Sequence, residues 1–385
     1  MLFIDEIGDT VRLRSLANKW NNILSQSESD SIFLTWEWVF SWWQVYGGGK
    51  ELCLLVLRGQ DEDIIAIAPF YIRTKKILGG LPINEVRFLG TGEDVSPDYL
   101  DFIIKKGFEN EAINAFVKYL TVKKGWDVAN LTDMLSTSFT VKMLQKVATD
   151  NGLMVESSNR ATCPYIQLLP DWEEYIGSLS KNTRYNIKRR MRNLEKNFKT
   201  RYFMWEDIGR LECAMERLSF LHNKRWEQKG GKHSFSSKEY NAFHQAVARE
   251  FAFKGWLQLS CLELDGEIVG ILYDYRYGNK IYYYQGGFDP SLYKYSLGLV
   301  LRAYVIQKAI ENGIKEIDFL KGAYEHKYMW TEHDRHTINL MMGRDTFGSK
   351  VYFFDTFRKP QMKSAIKKTL PNFLLEMIKR RREIK

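Results

Sequence analysis

The sequence predicts an α+β fold. It reads as two tandem units of similar order, each a mixed, mostly antiparallel sheet flanked by helices. Three observations carry this. Strand-length apolar runs in the second half are joined by two-residue turns, Asp265-Gly266 and Gly278-Asn279, which admit positive φ between twisted strands. Other runs place apolar residues three and four apart, as at Ile187, Met191, Leu194 and Phe198, and read as helices. The order helices, meander, helix, strand occurs in each half, although no residue-level repeat links them.

The elements follow in order. Residues 11–24 read as a helix, and Thr35 caps a second one through Tyr46, rich in Trp36, Trp38, Trp42 and Trp43 and stopped by Gly47-Gly48-Gly49. Strands are expected at 52–58, 64–73, 86–90 and 99–104, a helix at 109–123, a strand at 126–131, a helix at 137–150 and a strand at 153–157. Asp171 then opens a new unit. Helices are expected at 171–180, 182–197, 207–229 and 238–253, the last capped by Ser236 or Ser237. A meander follows at 256–264, 267–277 and 280–288, then a helix at 297–311 ended by Asn312-Gly313, and strands at 316–320 and 337–343. The units are 1–165, 166–350 and a basic amphipathic tail at 351–385.

The 385 residues are 45% hydrophobic and 14% aromatic, enough for packed cores and unlike a disordered chain. Cys53, Cys163, Cys213 and Cys261 lie far apart with no C-x-x-C spacing, so neither zinc nor a disulfide framework is expected. The start, MLFIDEIGDTVRLRSL, carries early acids, and no run approaches the roughly 20 apolar residues of a spanning helix. A cytoplasmic protein is expected. The charge is +9 but uneven. Segments 181–201 and 358–385 each carry a net +8, which leaves −7 for the rest of the chain. This is an acidic body with two basic segments, not a uniformly basic nucleic-acid binder.

Several motifs resemble one superfamily as a set: R184-Y-N-I-K-R-R-M-R-N-L-E195, Y284-Q-G-G-F-D-P-S-L-Y293, S296-L-G298 and D318-F-L-K-G-A-Y-E-H-K327 with Trp330. The first half adds W36-E-W-V-F-S-W-W43, A68-P-F70, R87-F-L-G90 and D98-Y-L-D101. Together they resemble GNAT (Gcn5-related) acyltransferases, and more narrowly Fem peptidyltransferases and the acetyltransferases associated with exopolysaccharide and cellulose synthesis. The resemblance spans roughly 30–345. It implies two tandem GNAT-like domains and transfer of an acyl group to an amine or hydroxyl. It departs at Tyr293-Lys294-Tyr295-Ser296-Leu297-Gly298, where ordinary GNAT enzymes carry Q/R-x-x-G-x-G/A to cradle a pyrophosphate. An aminoacyl-tRNA or acyl carrier protein therefore stays open as donor beside acetyl-CoA or another acyl-CoA.

Acyl transfer needs an anion cradle, donors for the carbonyl oxygen, a base and an acid. The head of helix 297–311, with Tyr293, Lys294, Ser296 and Gly298, suits the cradle; the plainer reading has Ser296 as a cap and Lys294 solvated. Gly286 and Gly287 suit close approach of a ligand, or a bulge. Asp318, at a strand end, and Glu325, in the following loop, are candidate bases; a hydrogen bond that only holds the loop is the alternative for Asp318. Tyr284 or Tyr293 could protonate the leaving group. Arg184, Lys188 and Arg192 share one face of the basic helix, a solvated surface or a grip on an anionic substrate, and Lys327 and Trp330 are further substrate-binding candidates. No histidine spacing suggests a metal, and no G-x-S-x-G elbow is present.

The expected reaction is acyl-CoA-dependent N-acylation of an amine, an amino sugar or related precursor of cell-surface polysaccharide, by direct transfer from the thioester. The partner is a small-molecule or glycan acceptor. The tail F373-L-L-E-M-I-K-R-R-R-E-I-K385 suits peripheral contact with the inner membrane or a polysaccharide synthase, or a solubilising role. The alternatives are a Fem-like aminoacyl transfer, in which helix 182–199 meets tRNA, and a non-catalytic scaffold.

Overall fold

The computed structural model of the chain describes residues 2–227 and 234–358. The first half runs β1 (Phe3–Ile7), α1 (Thr10–Ser15), α2 (Ala17–Leu24), α3 (Trp36–Tyr46), β2 (Glu51–Arg58), β3 (Ile64–Lys76), β4 (Pro82–Phe88), β5 (Ile103–Ile104), α4 (Glu109–Val122), β6 (Val128–Leu135), α5 (Phe139–Asp150) and β7 (Met154–Gln167). The second runs α6 (Trp172–Ser178), α7 (Lys181–Asn197), β8 (Thr200–Met204), α8 (Leu211–Glu227), α9 (Lys238–Phe253), β9 (Leu257–Leu264), β10 (Glu267–Tyr277), β11 (Lys280–Phe288), α10 (Leu297–Glu311), β12 (Glu316–Asp318), α11 (Glu325–Tyr328), β13 (Asp334–Gly343) and α12 (Phe347–Phe353).

Local chemistry sets most helix starts. Asp9, Thr35, Ser180 and Ser237 each accept a backbone N–H with the side chain at a helix start. The expected helix over 11–24 is two helices. It tightens at Leu16, whose amide bonds to Leu13, and both leucines turn into the core three residues apart. The expected strand at 99–104 shrinks to Ile103–Ile104. Tyr99 sits at φ 60, and Asp101 takes the amide of Phe102 with its own carboxylate, so side chains satisfy backbone that a ladder would otherwise pair. The turns at Asp265-Gly266 and Gly278 have the positive φ that their residues predict.

The described strands form one sheet in the order β1-β2-β3-β4-β6-β13-β7-β12-β11-β10-β9-β8, with β5 beside β3. Two strands join the halves. β13 lies antiparallel between β6 and β7, and β7 continues from β13 to pair with β12 through Tyr165, Ile166 and Gln167. The boundary expected at 165/166 therefore falls inside a strand shared by both halves. The core is shared as well. Trp38 of α3 is fully buried and meets Phe243 of α9 edge to face at 4.9 Å, with Tyr275 and Tyr284 of the second half close by. A further difference is β8, which the sequence pattern does not announce. It closes the far edge against β9, held by a two-bond Arg201–Glu263 pair. The tail expectation for 373–385 lies outside the described residues. No helix among the described residues is long and apolar enough to cross a membrane.

Candidate active site

Two parallel strands part in the middle of the second half. β11 and β12 pair only at Lys280–Glu316, Ile281–Ile317 and Tyr282–Asp318. Past Asp318 the chain stays with β7, as Phe319 N donates to Pro164 O and Gly322 N to Thr162 O, each at 2.9 Å. β11 instead follows β10 to Phe288. Beyond Tyr282, the β11 edge facing β12 therefore has no strand partner among the described residues.

A bulge marks the opening. Tyr273 pairs with Gln285 and Asp274 with Tyr283, which leaves Tyr284 as the extra residue. Asp274 holds this place. Its buried carboxylate accepts Arg302 of α10 at 2.8 and 3.3 Å, and the Tyr284 amide also bonds to it. The Arg302 guanidinium lies 3.9 Å over the ring of Tyr283.

Two cavities meet at the gap. One, of about 490 Å³, lies beside α10 and is lined by Phe288, Leu292, Tyr293, Ser296, Leu297 and Gly298. The other, of about 350 Å³, lies between the halves and is lined by Asp94, Ser96, Asp98, Tyr240, Lys321 and Lys327. Arg225, Tyr283, Phe319 and His326 line both. Tyr283 and Phe319, from the two diverging segments, meet edge to face at 5.9 Å.

The α10 side presents a helix N-terminus without a side-chain cap. Ser296 sits at the helix start in the left-handed region, φ 56 and ψ 49, and its side chain caps nothing. Leu299 and Val300 bond back to the Ser296 carbonyl, so the amides of Leu297 and Gly298 lead a 15-residue helix. Ser296 as a side-chain cap is thus corrected. Gly298 has a packing role too, because a Cβ there would lie 3.3 Å from the Phe288 ring. Tyr293 is 83% exposed at the rim. Lys294 is exposed, its ammonium 5.0 Å from the Tyr295 ring and its carbonyl bonded by Arg190 of α7.

The inter-half side gathers acid and base groups. Asp98 is 1% exposed; its Oδ2 accepts the Lys321 amide at 3.0 Å and its Oδ1 faces the Lys321 ammonium at 3.2 Å. Burial raises its carboxyl above the ordinary range. Lys327 is buried, and its Nζ donates to the carbonyls of Leu320 at 3.1 Å and Lys321 at 2.8 Å. Burial pulls the ammonium down to about 8, against the opposing pull of Asp98. Tyr284 turns its hydroxyl to His244 Nε2 at 3.4 Å inside the aromatic cluster, and burial holds that hydroxyl well above its usual pKa.

The structure regroups the candidates. It brings Tyr284, Gly286 and Lys327 to the inter-half cavity, and Tyr293, Ser296, Gly298 and Trp330 to the α10 cavity. Gly287 is not at the bulge. A Cβ there would lie 2.7 Å from His222 N and Leu218 O, so this glycine lets α8 cross β11 closely. Asp318 lines neither cavity. It is fully buried on the opposite side of the strand pair, where it accepts Tyr99 OH at 3.1 Å and the Leu320 amide at 2.7 Å. Glu325 is exposed at the start of α11 and lines neither cavity. Arg184 and Arg192 bond the carbonyls of Gly177 and Lys188, Lys188 pairs with Glu173 at 2.7 Å, and none of the three reaches a cavity.

Sequence reasoning missed Asp98, Arg225, Tyr283, Asp274 and Arg302 as parts of the site. A signal exists for the last two. Each is a charge set inside an apolar stretch, Asp274 in GILYDY and Arg302 in LGLVLRAYVI, where a buried charge calls for an opposite one. No cluster of three or more metal-ligating side chains occurs among the described residues.

Residues 181–328, from α7 to α11, match the family described as an acetyltransferase (GNAT) domain. No curated protein matches the chain. Among solved structures, FemX superposes with a TM-score of 0.63 at 10% identity, covering 91% of this chain and 99% of FemX. The C-terminal domain of a putative lysylphosphatidylglycerol synthetase from Agrobacterium fabrum gives 0.53 at 9% identity, covering 88% and 94%. L-PGS from Bacillus licheniformis gives 0.50 at 11% identity, covering 90% and 96%. At these identities the likeness is one of fold. Residues 181–328, with the gap between β11 and β12 at their centre, therefore form a GNAT acetyltransferase domain, and the tandem architecture of the chain has the fold of FemX.

Proposed function

We propose that the chain moves an acyl group from an acyl-CoA, held at the head of α10, to an amine held between the halves. The observation that carries this is the meeting of two unlike cavities at Tyr283 and Phe319. One is headed by a helix N-terminus; the other holds Asp98 and Lys327. The amides of Leu297 and Gly298, with Lys294 and Arg225, would hold the donor's phosphates. The donor supplies an activated carbonyl; transfer makes an amide C–N bond and breaks the donor's C–S bond, and the amine's second proton leaves on the departing sulfur as the free thiol.

The chain's own groups handle the protons. An incoming ammonium is drawn to Asp94 and Asp98. Asp98, whose pKa burial raises and whose Oδ1 faces the Lys321 ammonium at 3.2 Å, takes the proton that frees the amine lone pair. The Lys327 ammonium stabilises negative charge that develops on the carbonyl oxygen. The Asp274–Arg302 pair fixes the bulge and so positions the β11 backbone. An amino sugar or related cell-surface precursor fits an acceptor cavity that also presents Ser96, Ser234 and Tyr240.

The exposed basic face of α7 favours a second donor, an aminoacyl ester of tRNA. Lys181, Arg189, Arg192 and Lys196 are partly or fully exposed there, and Arg190 touches the loop before α10. One experiment separates the readings. The chain is incubated with acetyl-CoA and an amine panel, and free thiol release is followed. In parallel, tRNA binding is measured against salt. Thiol release lost in Asp98→Asn supports the first reading. No release, with tRNA binding that falls steeply as salt rises, supports the second.

A further inference from the structure

A third cavity, of about 590 Å³, lies between the halves on the side of β11 and β12 where Asp318 sits. It shares no lining residue with either cavity of the acyl-transfer site. We propose that it is a second ligand site, one that takes a small protonated amine bearing hydroxyl groups.

Charge is the first argument. The lining carries five carboxylates, Glu28, Asp30, Asp101, Glu109 and Asp318, against two cations, Lys280 and Arg335. Both cations are already committed to Glu316, at 3.2 and 2.8 Å. Asp101 is buried with its carboxylate on Ser138 Oγ at 2.6 Å and on the Phe102 amide. Glu28 pairs with Lys106 at 3.0 Å, yet the carboxylates here still outnumber the cations, so a cation entering meets net negative charge, partly shielded from water.

Asp318 is the second and independent argument. It has no exposed surface, and it lines the cavity. Its Oδ1 is saturated by Tyr99 and Leu320, while its Oδ2 accepts no hydrogen bond and has only Arg335 at 3.7 Å. A buried carboxylate oxygen left this way lacks a donor, and an ammonium supplies one. The hydroxyls of Tyr99 and Tyr282 stand beside it, which suits a ligand with hydroxyl groups of its own. The site is also wired to the chemistry. The Leu320 amide that Asp318 accepts belongs to the residue whose carbonyl accepts Lys327.

The test is calorimetric titration of glucosamine into the whole chain, with glucose as the uncharged comparison. Glucosamine should bind saturably and glucose about tenfold more weakly. Asp101→Asn should weaken glucosamine by a similar factor. Asp30→Asn, a rim change that keeps an acceptor for Tyr277, should do so without risk to folding. Asp98→Asn, in the acceptor cavity, should leave a saturable glucosamine heat. The proposal is overturned if glucosamine gives no heat, if glucose binds equally well, or if binding vanishes in Asp98→Asn and survives in Asp30→Asn and Asp101→Asn.

Discussion

Tyr283 of β11 and Phe319, just past β12, close the gap between their strands with an edge-to-face contact at 5.9 Å. Both rings line both cavities of the proposed transfer site and form the gate where the two meet. The length of acyl group that the site accepts should depend on this gate. Phe319→Leu shortens one side of the gate and keeps the core apolar. Relative kcat/KM for longer over shorter acyl-CoAs should rise about tenfold, the range that one or two methylenes command in an apolar pocket. An unchanged ratio places the acyl group elsewhere.

Lys327 gives a pH signature. Its folded pKa is about 8, below the ordinary 10.5, because burial disfavours the ammonium. The unfolded chain therefore binds more protons between those values, and stability rises as pH goes from 8 to 10.5. Lys327→Met should flatten that rise in urea unfolding. In catalysis the charged form acts, so wild-type kcat/KM should fall above about pH 8. The variant should lose on the order of 10²-fold in kcat and lose that limb of the profile. Loss of activity with the limb intact would assign it to another group.

Arg302 and Asp274 are both buried and joined at 2.8 Å, between α10 and the bulge. Removing one partner strands the other charge. Arg302→Met should cost about 3–5 kcal/mol in chemical denaturation. The double variant Arg302→Met with Asp274→Leu should recover most of this, because no lone charge remains. The double variant should still be slow, since the Tyr284 amide loses its acceptor and the bulge its anchor.

The second-half meander was legible because its turns need residues that tolerate positive φ, and Asp265-Gly266 and Gly278 announce them. Helix α7 was legible through its apolar spacing. The shared sheet was not. β13 reaches across to β6, a pairing of residues about 200 apart in sequence, and no local pattern encodes a partner that distant. The same limit explains the site. Tyr284, Lys327 and Gly298 stand near each other in sequence motifs, but Asp98 comes from the other half and meets Lys321 only in the fold. Asp318 lies away from the gap for another reason. A carboxylate at a strand end suits a base, yet the two-residue repeat of the strand turns it away from the gap that Phe319 enters.

Gly287 tests the packing beneath the site. Its missing Cβ would stand 2.7 Å from backbone atoms of α8 and 2.9 Å from Leu221 Cβ. Backbone cannot swing aside as a long side chain can. Gly287→Ala should therefore lift α8 from β11 and cost about 1–3 kcal/mol, read from the urea midpoint. Gly266→Ala tests a different effect, since nothing stands near its Cβ and only its φ of 92 opposes the change. If Gly287→Ala proves the milder of the two, close helix approach is not what that position requires.

Asp318 makes the last prediction, and its sign is opposite to that of a surface ion pair. Burial raises its pKa from 3.8 to about 6, even with Arg335 and the Leu320 amide pulling the other way. The protonated form fits the fold better, so its contribution is fully present below 3.8 and is lost as pH rises through 6. At 1.36 kcal/mol per pKa unit the loss is roughly 3 kcal/mol. Asp318→Asn keeps an acceptor for Tyr99 and Leu320 and has no proton to lose. Wild type should therefore lose stability relative to this variant between about pH 4 and pH 7, by up to that amount. Asp101, pushed to about 6 in the same way, is present in both chains and cancels in the difference. Urea unfolding of the two proteins at each pH checks it, and parallel profiles would mean that Arg335 holds Asp318 ionised throughout.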